Sequence, residues 1–363
     1  MNAIFKQVSL WSVVMIVLVS SGAKAERWDG YNDPGMMDVA KDYQYNFNKL
    51  PLVGRLDTMP WSETYWPTIK GSINYRWNSP VKDGFNYTPP SKAEVMTMSQ
   101  DQLAQLAPTE KYDIFMGHYD YPLWEEARSY GNPRAKDWNG MCDGWSISAL
   151  QYAEPSPVVM TNPDGVKVPF GSSDVKGLMT FTAAVHFDAE TKQVGSKCEG
   201  GLRRGSAACA DINAGALHVI LANQIGIKKQ GFVTERDPGK EIWNQPTFGF
   251  NFTVLGSAQS NAGDHGVRVH AQLWYTDELD NSSWSPVVGT PNFKSDKIEM
   301  DYVLDLDQND NIIGGSYLRG SDHPDFVWMA VNKLTFTDTM AGINLIYKPA
   351  KLAPLPHGVL ANY

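Results

Sequence analysis

The chain has 363 residues, of which 42% are hydrophobic, 12% aromatic and 20% charged, and its formal net charge is −9. This composition excludes an intrinsically disordered protein, because disordered chains have few aromatic residues and a high charge content. The acidic balance argues against nucleic acid as a partner, since binding to phosphates depends on Lys and Arg. Three cysteines in a chain of this length exclude a dense disulfide framework, and they leave one thiol over if the other two form a disulfide.

The first 25 residues predict a secretory signal peptide. Lys6 gives a short basic segment, residues 10–19 are apolar, and residues 23–25 supply the small-x-small pattern of a cleavage site. The apolar run is too short to span a bilayer comfortably, and no later stretch approaches the length of a transmembrane helix. We therefore expect a protein that is secreted to the extracellular space, periplasm or cell wall, with no stable membrane insertion once the signal is removed. An uncleaved membrane anchor is the alternative interpretation.

The pattern along the rest of the chain predicts an α+β fold. Residues 26–60 are polar and predict an irregular lead-in or a pro-segment, whereas residues 61–363 form the predicted main domain. Helical signals concentrate in the middle of this domain, and its part from about residue 251 is rich in strand-like alternation. The predicted helices cover residues 92–106 with Ser91 as N-cap, the stretch from Cys142 towards Pro155, and residues 211–226 with Asp211 as N-cap. The predicted strands cover residues 232–234, 267–275, 297–307, 311–318 and 331–336.

Cys142 is a candidate nucleophile. It lies near the predicted start of its helix, where free N–H groups and the helix dipole favour a thiolate. Gly140 and Gly144 on either side allow close approach of the backbone. A buried structural cysteine is the alternative interpretation of the same pattern.

Cys198 and Cys209 frame a loop rich in Gly and Arg, and a disulfide between them would close it. Cys142 is then the free thiol, and a free thiol in an exported protein favours a functional role. In the alternative, Cys142 pairs with one of the other two cysteines and no nucleophile remains.

A cysteine nucleophile needs a base and a group that orients the base. Among the seven histidines, His218 is the predicted base, because it lies at the edge of the apolar face of the predicted helix 211–226. A histidine at such a position is also compatible with a simple core role. The predicted orienting acid is Asp237, or else Glu235, although an Asp before Pro and Gly also opens turns.

Residues 242–246, followed by Gly249 and Phe250, closely resemble the oligopeptide elicitor segment of the oomycete cell-wall transglutaminase family. Seven further blocks in the chain are similar to that family and fall in the same order between about Pro60 and Trp328. They are YWPTIKGSINYRW, EKYD, WNGMCDGW, SSDVKGL, AGALHVILANQIG, YVLDLDQNDNIIGG and HPDFVW. The resemblance implies a papain-like or transglutaminase-like core and a calcium-dependent transglutaminase with a Cys-His-Asp triad.

The resemblance implies Cys142 as the nucleophile, which forms a thioester with a protein-bound glutamine. A lysine or another amine then takes the acyl group, so glutamine- and lysine-bearing proteins or amines are the implied substrates. His218 would carry protons between these groups and Asp237 would hold its ring. Asp143 departs from the family pattern, and a carboxylate beside the thiol raises the pKa of that thiol.

The cleft of such an enzyme should be narrow and aromatic, so that an amine can compete with water. Trp66, Trp145 and Trp243 are the predicted walls. The oxyanion donors are predicted to be the backbone N–H of Cys142 and a side-chain amide, either Asn244 or Gln245. A structural turn is the alternative role for these two amides.

Asp305, Asp307 and Asn309 place oxygen atoms at alternating positions, as a calcium loop does. The same segment also has the pattern of a β-hairpin turn.

Two further classes of function stay open from the sequence. One is a thiol peptidase or glutamine deamidase, in which water accepts the acyl group, and the other is a non-catalytic protein that binds a wall or surface.

Overall fold

The structure is a computed structural model that describes residues 28, 30–197, 211–237 and 239–351. The predicted signal peptide, Cys198 and Cys209 lie outside these residues. None of the helices in the described ranges is long and apolar enough to cross a membrane. The helices are α1 (Lys92–Val95), α2 (Gln100–Ala104), α3 (Pro108–Met116), α4 (Pro122–Arg128), α5 (Cys142–Gln151), α6 (Ser172–Phe181), α7 (Ala214–Ile220) and α8 (Ile343–Ile346). The strands are β1 (Val53–Arg55), β2 (Val158–Thr161), β3 (Lys167–Phe170), β4 (Thr191–Gly195), β5 (Phe232–Glu235), β6 (Asn244–Ala258), β7 (His265–Thr276), β8 (Ser295–Leu306), β9 (Ile312–Tyr317) and β10 (Phe326–Ala330).

The predicted helix over residues 92–106 is two short helices, α1 and α2. Ser91 caps α1 as predicted, but Ser99 forms a second capping box with Gln102 and begins a new helix. A capping side chain bonds to backbone N–H groups that would otherwise continue the preceding helix. The single-helix prediction was therefore wrong at its centre, where a Ser-x-x-Gln pattern marks a helix start.

The helix at Cys142 is confirmed, and the helix predicted to start after Asp211 begins slightly later. The Asn213 side chain accepts hydrogen bonds from the N–H groups of Gly215 and Ala216, so Asn213 is the N-cap of α7. The helical path continues beyond α7 as a π-helical turn to Ile227. Helix α6 has no counterpart among the sequence predictions.

The main sheet is antiparallel throughout, with the strand order β4-β10-β5-β6-β7-β8-β9, and β1 pairs with the middle of β6. This mixed helix-and-strand architecture, with strands in the last third, agrees with the predicted α+β class. Strands β7, β8 and β9 confirm three predicted strands. The prediction of a strand at residues 331–336 was wrong, because the strand is the preceding segment Phe326–Ala330. Strand β10 has a hydrophobic core on each of its faces, and such a strand reads as a continuous apolar run without alternation.

The sheet separates two hydrophobic cores. Successive residues of a strand point to opposite faces, and this alternation assigns each neighbour to a different core. On β5 and β10, Val233 and Trp328 belong to the core that contains α5 and α6, whereas Phe232 and Val327 belong to the core that contains α7. Helices α5 and α7 therefore lie on opposite faces of the sheet.

The α5–α6 core contains two fully buried ion-pair groups. Lys111 of α3 lies 2.7 Å from Asp174 of α6, and neither side chain is exposed. Lys176 of α6 lies 2.6 Å from Glu154 and 3.7 Å from Glu63, again with no exposure. Buried charges are tolerated only when they are paired, because the cost of removing an isolated charge from water is large. These pairs thus tie α3, α6 and two connecting segments into one arrangement.

We expect the variant Lys176→Met to lose about 3–5 kcal/mol of unfolding free energy, because it leaves two buried carboxylates without their cation. Denaturant titration of the purified protein measures this loss. The matched control is Lys192→Met, which breaks an exposed pair with Glu190 and should change stability by less than about 1 kcal/mol. Equal losses for the two variants would contradict a structural role for the buried group.

Candidate functional site

The position of Cys142 is fixed by backbone contacts on both sides. The N–H of Met141, the residue before the helix, donates to the carbonyl of Tyr65 at 2.7 Å. Within the first turn of the helix, a Cβ at Gly144 would overlap the carbonyl oxygen of Thr180 in α6. Glycine at this position lets α5 pack directly on α6. The thiol therefore belongs to the first residue of a helix whose position is closely fixed by its neighbours.

The Cys142 thiol is enclosed by the start of β6 and the loop before it. Its side chain is 8% exposed. The thiol donates to the carbonyl of Ile242 across 3.8 Å, and the Asn244 side-chain amide donates to the sulfur across 3.6 Å. Burial, and then the charge of Asp143, raise the pKa of the Cys142 thiol to about 12, while the bonds from Asn244 act in the opposite direction. The expected lowering of the pKa at a helix N-terminus is outweighed here by desolvation.

Asn244, one of the two predicted oxyanion donors, is brought directly to Cys142. Three groups hold it: its carbonyl oxygen accepts from Ser146 at 2.9 Å, its Oδ1 accepts from the indole N–H of Trp328 at 2.8 Å, and its Nδ2 faces the sulfur. Gln245 is the next residue of the strand and points away from the thiol, with its Nε2 bonded to Glu278 at 2.6 Å. The structure therefore supports Asn244 and not Gln245 as the amide at the thiol.

The structure does not bring His218 to Cys142. His218 lies in α7 on the other face of the sheet, where its ring stacks on Phe252 with centroids 3.9 Å apart and its Nδ1 bonds to the Tyr302 hydroxyl at 2.8 Å. Burial lowers the pKa of His218 to about 3, so the ring is neutral. The assignment of His218 as the base is replaced by the core role that was its alternative.

Asp237 and Glu235 do not meet His218 either. Asp237 accepts from the N–H of Glu241 at 3.0 Å and closes the turn between β5 and β6. Glu235 accepts from the N–H groups of Asp237 and Trp243. Lys197 bonds to the side chain of Glu235, at 3.1 Å, and to the carbonyls of Asp237 and Glu241. These acids shape the loop that leads to Ile242, so the predicted triad is not assembled.

Other histidines do not take the place of His218. Within the described ranges, no histidine forms a hydrogen bond, an ion pair or a ring contact with Cys142. Four of them pair with acids elsewhere, in the pairs His186–Glu126, His265–Asp310, His270–Asp301 and His323–Asp211.

The three predicted cleft tryptophans occupy different places. Trp66 and Trp145 are buried in the α5–α6 core, and the Trp145 indole donates to the carbonyl of Trp61 at 3.0 Å. Trp243 follows Ile242, whose carbonyl accepts from the Cys142 thiol, and its ring meets Tyr65 edge-on at 5.2 Å. Only Trp243 is placed as a cleft wall would be.

The residues predicted for calcium do not form a site. Asp305 is buried and binds the hydroxyl of Ser260, at 2.6 Å, and the N–H of Asn261, at 2.7 Å. Asp307 accepts from the N–H groups of Asn309 and Asn311 and so closes the β8–β9 hairpin, which was the alternative interpretation. Nowhere in the described residues do three or more His, Cys, Asp or Glu side chains gather as metal ligands. The carboxylates are used by the loops, so this segment does not fit the ion.

Sequence reasoning missed two groups beside the site. Trp328 carries the indole that holds Asn244, and its only signal was its place at the end of the HPDFVW block. Glu278 follows β7, and burial, followed by the neighbouring Asp277, raises its pKa to about 8. Its charge also acts on the Cys142 thiol. A carboxyl group that titrates near neutral pH in a partly buried position is typical of functional sites.

The fold and the site together define a thiol protein of mixed helix and sheet, in which a helix-terminal cysteine faces an amide on an antiparallel sheet. The family model described as "Transglutaminase elicitor" matches residues 126–265 and 267–352, which is more than half of the chain. The chain therefore belongs to the transglutaminase elicitor family, as its sequence blocks predicted. The structure is also similar to the crystal structure of the GP42 transglutaminase from Phytophthora sojae, with a TM-score of 0.64 and 21% identity over 88% of this chain and 97% of that chain. A search of curated protein sequences gives no significant match.

We expect native Cys142 to react slowly with iodoacetamide at pH 8. A thiol with a pKa of about 12 is a thiolate about once in 10⁴ at that pH, against about a quarter for an unperturbed thiol, so alkylation should be on the order of 10³-fold slower. The rate is measured by mass spectrometry on native and urea-unfolded protein. The variant Cys142→Ser identifies alkylation at other cysteines. Rapid labelling of native Cys142 would contradict the closed geometry.

The buried state of His218 predicts an acid-sensitive stability. Its folded pKa of about 3 lies below the unfolded value of 6.5, so its contribution is complete above pH 6.5 and is lost as the pH falls towards 3. Relative to His218→Gln, the wild-type protein should lose about 2 kcal/mol of unfolding free energy between pH 7 and pH 5. Denaturant titrations at both pH values measure the difference.

The partly exposed His270 provides the control for this comparison. The variant His270→Gln should keep the acid sensitivity of the wild type. If His218→Gln and the wild type respond equally to pH, His218 titrates normally and is accessible to solvent.

Proposed function

We propose that this protein is a secreted protein-glutamine γ-glutamyltransferase that forms glutamine–lysine cross-links through Cys142. The observation that carries the proposal is the pairing of a helix-terminal thiol with the Asn244 amide, 3.6 Å from the sulfur. Membership of the transglutaminase elicitor family supports the reaction class. The papain-like or transglutaminase-like core implied by the sequence resemblance is part of this proposal.

The chemistry needs few groups from this chain. The Cys142 sulfur attacks the side-chain carboxamide carbon of a glutamine, the C–N bond breaks, and the thiol proton leaves with the nitrogen as ammonia. A primary amine then attacks the thioester carbon, the new C–N bond forms as the C–S bond breaks, and a proton from the amine returns to the sulfur of Cys142. The Asn244 Nδ2–H and the backbone N–H of Cys142 are the proposed donors to the oxygen that becomes negative in both steps.

Proton transfer in this proposal depends on carboxyl groups, since no described histidine contacts the thiol. Asp143 and Glu278 are the acids whose charges act on Cys142. Burial raises the pKa of both carboxyl groups, so each holds a proton closer to neutral pH than an exposed acid does. Access of a glutamine side chain requires the Ile242 segment to move away from the sulfur, because Cys142 is 8% exposed.

A second candidate is a non-catalytic protein that binds a wall or another surface. Two observations favour it: the thiol is buried with a raised pKa, and no histidine in the described residues contacts it. In this case Cys142 contributes to the core, and the recognised feature is a surface of the protein.

Incorporation of dansylcadaverine into a glutamine-rich protein such as casein separates these functions. We expect fluorescence to enter casein with the wild-type protein and to fall to background with Cys142→Ala, which lacks the nucleophile. The variant His218→Gln should retain the rate per folded molecule, because its side chain lies on the other face of the sheet. Parallel reactions with calcium and with a chelator test whether the reaction depends on that ion.

The other outcomes are also informative. Release of ammonia without incorporation would replace the transferase by a deamidase in which water accepts the acyl group. The absence of both signals, together with an unreactive native thiol, would leave the binding protein as the function.

A further inference from the structure

We propose that Trp328 is a positioning residue for the reaction of Cys142, and that it acts by fixing the orientation of the Asn244 side-chain amide. The inference deepens the proposed function and rests on it for the catalytic consequence. Its structural part, the effect on the thiol, can be measured without any enzymatic activity.

The sheet places Trp328 and Asn244 on the face that carries Cys142. Trp328 pairs with Val233 across β10 and β5, and Asn244 pairs with Glu235 across β6 and β5. Val233 and Glu235 are two residues apart on β5, so both pairs point to the same face. The indole reaches across β5 and donates its N–H to Asn244 Oδ1 at 2.8 Å.

An indole N–H can only donate a hydrogen bond, and this property determines the direction of the amide. Of the two ends of the Asn244 side chain, only the oxygen can accept. The oxygen must therefore face Trp328, and the NH₂ end must face the Cys142 sulfur, where it lies at 3.6 Å. A hydroxyl group at the position of the indole would donate or accept, and it would leave both orientations available.

The reversed amide would be unfavourable. Its NH₂ group would meet the indole N–H, which cannot accept a hydrogen bond, and its oxygen would repel negative charge on the sulfur. Trp328 is 9% exposed and Asn244 is 7% exposed, so water cannot readily replace the lost bonds. The orientation observed is the one that favours negative charge, both on the sulfur and on the oxygen that forms during acyl transfer.

The direct test is the rate of alkylation of native Cys142 by iodoacetamide in the variant Trp328→Phe, which keeps an aromatic ring and removes the N–H. We expect alkylation at pH 9 to be about tenfold slower than in the wild type, the change expected for losing one oriented hydrogen bond to a thiolate. A role for Trp328 in packing alone predicts the opposite sign, since a looser core would expose the thiol and speed its alkylation.

Trp124→Phe is the matched control. Trp124 is 6% exposed in the same core and donates its indole N–H to the Tyr87 hydroxyl at 3.0 Å, away from the thiol. This variant should have a similar effect on stability and leave the alkylation rate of Cys142 unchanged. Equal slowing in the two variants would overturn the proposal.

A double-mutant cycle tests whether Trp328 acts through Asn244. In an Asn244→Ala background, Trp328→Phe should have no further effect on alkylation, because the group that it orients is missing. Additive slowing would show that Trp328 acts on the sulfur by another route and would overturn the proposal.

If the wild type also transfers acyl groups, Trp328→Phe should lower kcat and leave KM near its wild-type value. A wild type without activity would refute the proposed function, whereas the alkylation results would still decide this inference.

Discussion

The arrangement of the helices around the thiol depends on charges that are buried in the same core. Lys111 and Lys176 lie in the core with Asp174, Glu154 and Glu63, and each carboxylate has a cation within 4 Å. Such groups stabilise little in net terms, because desolvation offsets most of the attraction, but they are costly to separate. They thus restrict the core to arrangements that keep α3, α6 and their neighbours together. Helix α5 packs on α6 at Gly144, so this restriction extends to the residue that carries the thiol.

The second constraint is the alternation of side chains along the strands. A shift of one position on β5 or β10 would exchange Val233 with Phe232, or Trp328 with Val327, between the two cores. The same alternation sends Asn244 towards Cys142 and Gln245 away from it. His218 follows Cys142 in the expected chain order, but its helix α7 packs on the opposite face of the sheet. Chain order and helix periodicity carry no information about the face of the sheet on which a helix packs.

The parts of the structure that could be predicted are those that local sequence patterns determine. The helix at Cys142, the cap at Ser91 and three C-terminal strands depend on residues close in sequence. The α+β class follows from the order of these elements. The family could also be recognised, because each of its blocks is a short contiguous segment and the blocks occur in the same order along the chain. The partners of the thiol were harder to predict. The sequence offered two amides, and the register between β5 and β6 determines that Asn244 is the one that faces Cys142. Trp328 reaches that amide across a third strand, a contact separated by 84 residues.

The raised pKa of the Cys142 thiol and its low exposure have the same cause, which is the burial of the side chain. A helix N-terminus favours a thiolate by about 1 kcal/mol or less at an exposed position, whereas the pKa of about 12 at Cys142 shows that burial dominates. The cover includes the carbonyl of Ile242, which belongs to the loop held by Lys197 through Glu235, Asp237 and Glu241. Movement of this loop would admit water to the sulfur and remove an acceptor for the thiol proton in one step. Since burial is the largest cause of the raised pKa of Cys142, exposure of the sulfur by such a movement would lower that pKa.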